Sequence, residues 1–346
     1  MNYIIFGGTG FIGTHLSREL KQNNPEAEVW NFDIVDPEVL KNLDEKQTEE
    51  YTTIKNRKTA LKKGEKRVAK YVKCDIRTKI STPPFTPTKD DIIIHLAAVH
   101  RTPGHPDEAY FETNMTGAEN VRAFAEQYEI KTIIFLSSIA PYGTSESKKE
   151  EDTLPMPNTP YGISKLVAEK TLTAWQQSDN SRRLTILRPG VVFGKGENGN
   201  FTRMYWGIRK HTFAYPGRKD TVKACVYVKE LTGFIQWCIA DDTPYKLYNC
   251  TYEPAYTIEH IVEEMKKQCG LTQMVPYIPN WIIMPAAYIM EIIGSPMGIC
   301  PERVKKLQIS TNISGKKMLE SGYMQQWPLD KAIKDWDEDC NNKGLE

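Results

Sequence analysis

Residues 3–6 (Tyr-Ile-Ile-Phe) form a short apolar run that ends in Gly7-Gly8-Thr9-Gly10-Phe11-Ile12-Gly13, and a helical pattern follows from His15 to Lys21. That order predicts a buried strand, a glycine-rich turn and a helix. The glycines let the backbone approach a pyrophosphate, and the free N–H groups and dipole of the helix N-terminus favour an anion there. A second strand-like run, Glu28 to Phe32, ends in Asp33, twenty residues after Gly13. An acid in that place accepts hydrogen bonds from an adenosine ribose 2′-OH and repels a 2′-phosphate. The pattern therefore predicts a dinucleotide site that takes NAD in preference to NADP.

The rest of the chain extends this start. Tyr71 to Ile76, Asp91 to Ala98, Lys131 to Leu136 and Leu184 to Leu187 read as strands, with a helix from about Glu108 to Tyr128. Strands alternating with helices imply a doubly wound parallel sheet, an α/β fold of Rossmann type. From 195 onward the texture changes: glycine, asparagine and aromatic residues dominate 194–217, strands shorten, and helices are expected near 257–268 and 281–293. The expected organisation is an NAD-binding domain over 1–193 and a smaller α/β substrate lobe over 194–346. Cys225 to Trp237 is expected to return to the first domain. A segment at about 41–70, half of it charged, reads as a solvated insertion or as a basic surface for phosphate groups or a partner.

Composition excludes several classes. Lysine and arginine total 45 against 44 aspartates and glutamates, a net charge of +1, so no global field draws the chain to nucleic acid or to an anionic membrane. The seven cysteines are scattered and never in C-x-x-C spacing, so neither a disulfide framework nor a metal site is expected. No basic leader with a cleavage site opens the chain, and a cytoplasmic location is expected, with contact at the inner face of the membrane left open. The run Trp281 to Ile293 is too short to span a bilayer. Its apolar residues occupy all sides, which reads as a core or dimer helix, or as a lipid-facing one.

The chemistry is expected at Tyr161-Gly162-Ile163-Ser164-Lys165, which follows Pro160. Residues four apart share a helix face. An ammonium near a phenol is expected to lower its pKa toward working pH and make Tyr161 a general acid/base. His100 and Arg101 sit in a loop at the carboxyl end of a central strand, where doubly wound sheets bind ligands, and read as substrate contacts or as structural residues. A Ser145-x-x-Lys148 match lies in a polar tract and reads as chance.

Gly7-x-x-Gly10-x-x-Gly13, Asp33, Asp75, Leu96-Ala97-Ala98, Asn114, Ser138, Tyr161-x-x-x-Lys165 and Arg188-Pro189 occur in one order. Together they resemble the extended short-chain dehydrogenase/reductase family, in its NAD-dependent sugar epimerase/dehydratase branch. The resemblance implies that Gly7, Gly10 and Gly13, with the backbone of Phe11 and Ile12, hold the pyrophosphate. Asp33 takes the adenosine ribose, Asp75 with Ile76 flanks the adenine, and Leu96, Ala97 and Ala98 line the dinucleotide. Asn114 falls in the same cofactor set, Lys165 bonds the nicotinamide ribose, and Pro189 to Val191 lie against the nicotinamide end. Ser138 would hold the reacting sugar hydroxyl while Tyr161 removes its proton.

The residues after Ser138 narrow the branch. Sugar dehydratases carry an Asp-Glu pair there and decarboxylases a glutamate, whereas this chain has Ile139-Ala140. The resemblance therefore implies an NAD-dependent 4-epimerase of a diphosphate-linked hexose, working by transient oxidation at C4 and return of the hydride. Asn200, Lys223 and Arg303 are the implied contacts to sugar and diphosphate, and small residues at Ser310-Thr311 would admit an N-acetylhexosamine. Several details look most like a bacterial subgroup that epimerises N-acetylglucosamine at C4, in some cases linked through diphosphate to undecaprenol. The other readings are a dehydrogenase or reductase of another sugar or a non-sugar alcohol, and a non-catalytic NAD-binding regulator. A homodimer through the Glu108–Tyr128 and Tyr161–Gln176 helices is implied by the resemblance alone.

Overall fold

The computed structural model describes residues 1–36, 68–100, 105–197, 199–293 and 301–346. The expected insertion at 41–70, apart from its last three residues, and Arg101 lie outside the described residues.

Six strands follow in chain order: β1 (Asn2–Phe6), β2 (Glu28–Asp33), β3 (Lys70–Lys73), β4 (Ile92–His95), β5 (Thr132–Leu136) and β6 (Arg183–Pro189). With the strand Tyr245–Cys250 beside β6 they form one sheet, ordered Tyr245–Cys250, β6, β5, β4, β1, β2, β3. Every pairing is parallel. β4 and β5 are buried throughout, as apolar strands covered on both faces must be. The strand order reverses between β1 and β4, and a crevice at such a switch point is where ligands bind.

Two layers of helices cover the sheet. On one face lie Leu16 and Leu20 of the helix Phe11–Asn23, with Leu231, Phe234 and Ile235 of the helix Val228–Ala240. On the other lie Val121, Phe124 and Ala125 of the helix Thr116–Gln127, with Ala168, Leu172 and Trp175 of the helix Pro160–Gln177. Burying each large apolar side chain contributes about 1.5–3 kcal/mol. The helix expected over 108–128 is interrupted: an α-turn Asp107–Tyr110 passes through a π-helical turn, Phe111–Met115, before the α-helix resumes. Such π turns recur at functional sites, and this one carries Asn114.

The remaining residues build a separate core around Phe193, Phe201, Met204, Ile261, Val262 and Trp336. Phe193 and Phe201 stack with ring centroids 4.5 Å apart. The strand Tyr245–Cys250, for which the sequence reading had no element, carries the chain back into the main sheet. The helix Asn280–Ile292 is not a core helix of this chain: Ala287 is its buried residue. No helix among the described residues is long and apolar enough to cross a membrane.

Candidate active site

The glycine turn joins the carboxyl ends of β1 and β4. Gly7 has φ +82°, and a Cβ there would lie 2.6 Å from the backbone nitrogen of Ala97. Only glycine lets these two strand ends close up. Gly13 meets Gly8 just as tightly, where the first helix crosses the turn. That helix starts at Phe11 with Gly10 as its N-cap, and among the described residues no side chain caps it and its first turn holds no acid. A Cβ on Gly10 would meet only the Gly7 carbonyl oxygen, at 3.3 Å. Asp33 is buried at the end of β2, where its Oδ2 accepts from the Thr9 N–H at 3.2 Å. Leu96, Ala97 and Ala98 stay half-buried beyond β4. A helix N-terminus open to an anion, an acid fixed beside it and a run dominated by small residues are the fit that NAD requires.

Three expected cofactor residues have partners the sequence did not suggest. The Asp75 carboxylate is held by Arg77 through Nε at 3.0 Å and Nη2 at 2.7 Å, which keeps it below the ordinary carboxylate range. Ile76 points into the core against Gly117, and its carbonyl accepts from Asn120 at 2.8 Å. Asn114 is buried with its amide engaged inside the protein. Its Oδ1 accepts from the Val99 N–H at 2.9 Å, while its Nδ2 donates to the Val99 carbonyl at 3.0 Å and to Ser164 Oγ at 2.9 Å. Ser164 in turn donates to the Tyr161 carbonyl at 2.9 Å. The geometry makes Asn114 a strut between the loop after β4 and the helix of Tyr161, because both its N–H groups are used there.

Thr159 caps that helix by accepting from the Gly162 N–H at 3.1 Å, and Pro160 occupies the first turn. A Cβ on Gly162 would lie 2.6 Å from the Ala140 carbonyl oxygen, so the helix start and the loop after β5 touch only because this residue is glycine. The contact brings Ser138 to Tyr161. Ser138 Oγ accepts from the Ala140 N–H at 3.1 Å and lies near enough to the Tyr161 phenol to favour its ionised form.

The charge state differs from the sequence expectation. Burial pushes the Tyr161 phenol up to about 12, and the nearby Ser138 hydroxyl only partly offsets it. Lys165 does not lower it, because its ammonium donates to the Leu136 carbonyl at 2.7 Å and sits 4.8 Å over the Phe135 ring. Burial pulls Lys165 down to about 7, with Glu169 opposing the change.

Glu169, one turn beyond Lys165, anchors a buried network that the sequence reading missed. It accepts from Arg188 Nε at 2.9 Å, from Arg188 Nη2 at 2.6 Å and from Ser137 Oγ at 2.5 Å. Arg188 also stacks 4.7 Å over Tyr142, whose hydroxyl donates to Asn249 Oδ1 at 2.8 Å. A signal existed: a glutamate on the buried face of a helix needs a cation. Nothing local pointed to Asn249. His95, at the end of β4, is fully buried beside Phe6 and Phe135, and neither ring nitrogen has a partner among the described residues. Burial holds it neutral, with its pKa lowered to about 3.

The expected substrate residues are spread more widely. His100 is exposed beyond β4. Asn200 is exposed at the start of the helix Asn200–Arg209 and accepts from Arg203 Nη2 at 2.9 Å. The nearby Glu197 closes that helix, accepting from the Thr202 N–H at 2.9 Å. Lys223 donates to the Ile309 carbonyl at 2.8 Å and is bridged to Thr311. Its neighbour Ala224 accepts from the Val191 N–H at 2.9 Å, so Lys223 lies one residue from the segment that follows Pro189. Arg303 belongs to the helix Pro301–Gln308, and its side chain lies outside the described residues. Among the described residues no group of three or more His, Cys, Asp or Glu is arranged to hold a metal.

The model of the NAD dependent epimerase/dehydratase family matches residues 3–250. The chain belongs to this family. Its cofactor is NAD. A curated relative, the N-acetyl-alpha-D-glucosaminyl-diphospho-ditrans,octacis-undecaprenol 4-epimerase of Escherichia coli O157:H7, is 28% identical over 340 residues, covering 96% of this chain and 93% of that one. Among solved structures, a UDP-glucose 4-epimerase of Thermotoga maritima with UDP-glucose has a TM-score of 0.70 at 18% identity, covering 99% of both chains. The UDP-glucose 4-epimerase of Thermus thermophilus in complex with NAD has a TM-score of 0.69 at 19% identity, covering 98% of both. At these identities the structural likeness establishes the fold. Within an epimerase/dehydratase fold, the loop after Ser138 is the place to look for an acid. Here it is a 3₁₀ turn, Ala140–Tyr142, preceded by Ile139, whose N–H donates to the Pro189 carbonyl at 3.2 Å.

Proposed function

We propose that the protein is a 4-epimerase of a diphosphate-linked N-acetylhexosamine. The observation that carries this reading is the close approach of the Tyr161 helix to the Ser138 loop, through Gly162 against the Ala140 carbonyl, where Ile139-Ala140 offers no acid. Elimination of a hydroxyl needs a proton donor for the leaving group. Inversion through transient oxidation needs only a base, an anchor for the hydroxyl and the cofactor.

In this reading the N–H groups at the start of the first helix face the pyrophosphate and Asp33 binds the ribose diol. When bound, NAD supplies a hydride acceptor at C4 and a positively charged ring near Tyr161. Ser138 accepts and redirects the hydrogen bond of the sugar O4, and the Tyr161 oxygen takes the O4 proton as that oxygen becomes a carbonyl. Tyr161 returns the proton when the alcohol re-forms with inverted configuration. Lys165 holds the ribose, and in its protonated form it favours the phenolate, although burial draws its pKa down to about 7. Lys223, Asn200 and Arg303 are the candidate contacts to the diphosphate and sugar. The full-length relative in Escherichia coli O157:H7 is named for a lipid carrier, and we take a prenyl-diphosphate sugar as the first substrate to test, with a homodimer at the cytoplasmic face of the membrane as its setting.

The test is an NMR time course of the NAD-loaded protein with UDP-N-acetylglucosamine and, separately, with the prenyl-diphosphate-linked sugar. The expected result is conversion of one of them to the galacto epimer with no net NADH. Stoichiometric NADH release, or a 4-keto-6-deoxy product, would overturn the reading.

A further inference from the structure

The helix Asn280–Ile292 reverses the usual arrangement of a surface helix. At about 100° per residue, Trp281, Ile282, Tyr288, Ile289 and Ile292, with the following Ile293, fall within one arc of roughly 140°. All six are exposed, from 43% for Ile282 to 85% for Ile292. The opposite side packs on the lobe through the fully buried Ala287. The helix has one charged residue, Glu291, which lies outside the arc. A surface helix ordinarily turns such an arc inward, and folded monomers seldom expose apolar patches beyond a few hundred Å².

We infer that Asn280–Ile293 is an interfacial helix that lies in the surface of an anionic lipid bilayer. The helix is thirteen residues long, which suits a segment lying in the plane of the interface better than one crossing it. Trp281 and Tyr288 are the aromatic types that settle at headgroup depth. The helix Pro301–Gln308 packs beside it; its sequence carries Arg303, Lys305 and Lys306 with a single acid, Glu302, and Lys305 is exposed. That local excess of positive charge complements anionic headgroups in a chain whose net charge is only +1. A second copy fits less well, because through this patch it would offer the same excess of cations and no compensating excess of acids.

Position supports the assignment. Gln308 Nε2 donates to Asn280 Oδ1 at 2.5 Å, and the next residue, Ile309, accepts from Lys223 at 2.8 Å. The apolar helix is thus tied at its start to the segment that holds a proposed diphosphate-binding cation. A bilayer under the helix would present a prenyl-anchored diphosphate to that side of the lobe. This purpose rests on the proposed function; the docking does not.

The experiment is flotation of the full-length, NAD-loaded protein with vesicles of phosphatidylcholine alone and of phosphatidylcholine with about a third phosphatidylglycerol. The protein is expected to float with the anionic vesicles. The double variant Ile289→Glu/Ile292→Glu should lower the bound fraction by about tenfold or more, with unchanged Tm and NAD binding, since both side chains are exposed. Lys305→Glu should give a smaller loss. A wild-type protein that stays with neither vesicle, or a double variant that floats as well as the parent, would overturn the inference. So would light scattering showing that the double variant splits an oligomer, which would give the face to a second copy. Flotation without epimerisation of any sugar would keep the docking helix and reject the functional reading instead.

Discussion

Two helices of thirteen residues, Phe11–Asn23 and Asn280–Ile292, show how differently one chain uses the same length. The first buries Leu16 and Leu20 under the sheet and leaves Gln22 and Asn23 to solvent. The second is far more apolar, yet turns its large residues outward. Apolar content alone therefore does not decide burial. A polar face tells a helix which side to keep wet, and a helix without one is oriented by its neighbours. The contrast extends to the chemistry. Around the first helix, Gly7, Gly13 and Asp33 are fixed by close contacts at the strand ends, whereas the candidate substrate residues Asn200 and Lys223 sit on short elements of the other lobe.

The sharpest test of that contrast is Tyr161→Phe. Turnover should fall by about 10²–10⁴-fold while NAD affinity and Tm stay near the parent, as measured by NMR assay, calorimetry and thermal melt. Retained turnover would remove Tyr161 from its role. The next effect is on stability: Glu169→Ala leaves the Arg188 guanidinium buried without its carboxylate and should cost about 3–5 kcal/mol in urea unfolding. A change under about 1 kcal/mol would show that the network under the sheet is not held by this pair.

A smaller effect concerns pH. His95 is neutral in the fold with its pKa lowered to about 3, against 6.5 for the model histidine, so its contribution is complete above 6.5 and is lost as pH falls toward 3. His95→Phe should gain on the parent by about 1.4 kcal/mol for each pH unit below 6.5. A stability difference that stays flat from pH 7 to 5 would refute the neutral, unpartnered state. The smallest effect belongs to the second region. Lys223→Met should raise KM for the diphosphate-linked sugar by about tenfold, equivalent to about 1.4 kcal/mol, with kcat within about twofold. A loss confined to kcat would move Lys223 from binding to chemistry.

These differences follow how local each constraint is. Gly7 to Asp33 and Tyr161 to Lys165 could be read from the sequence because a turn, a helix face or a strand end fixes their meaning within a few residues. The network of Glu169, Arg188, Tyr142 and Asn249 joins elements far apart in the chain, so spacing says nothing about it. The charge state of Tyr161 also escaped the sequence. Four-residue spacing puts Lys165 on the same face, but not its ammonium on the phenol, and burial then dominates. The strand Tyr245–Cys250 was hidden by Lys246 and Asn249, polar residues in a buried strand. Lys246 is accommodated because its ammonium donates to the Asp241 carbonyl at 2.9 Å and pairs with the Asp241 carboxylate at 3.0 Å.

That late strand also decides whether the cofactor half is a detachable module. β6 waits for its outer neighbour until the chain has left the sheet, formed the strands Val191–Phe193 and Cys225–Tyr227, and come back through the helix Val228–Ala240. A fragment ending at 193 would carry every residue of the dinucleotide cradle and still expose the edge of β6, with its row of free backbone N–H and C=O groups. It would also lose the cover that Leu231, Phe234 and Ile235 give one face of the sheet. The binding motif is written in the first part of the sequence, but the sheet that holds it is completed only after residue 245.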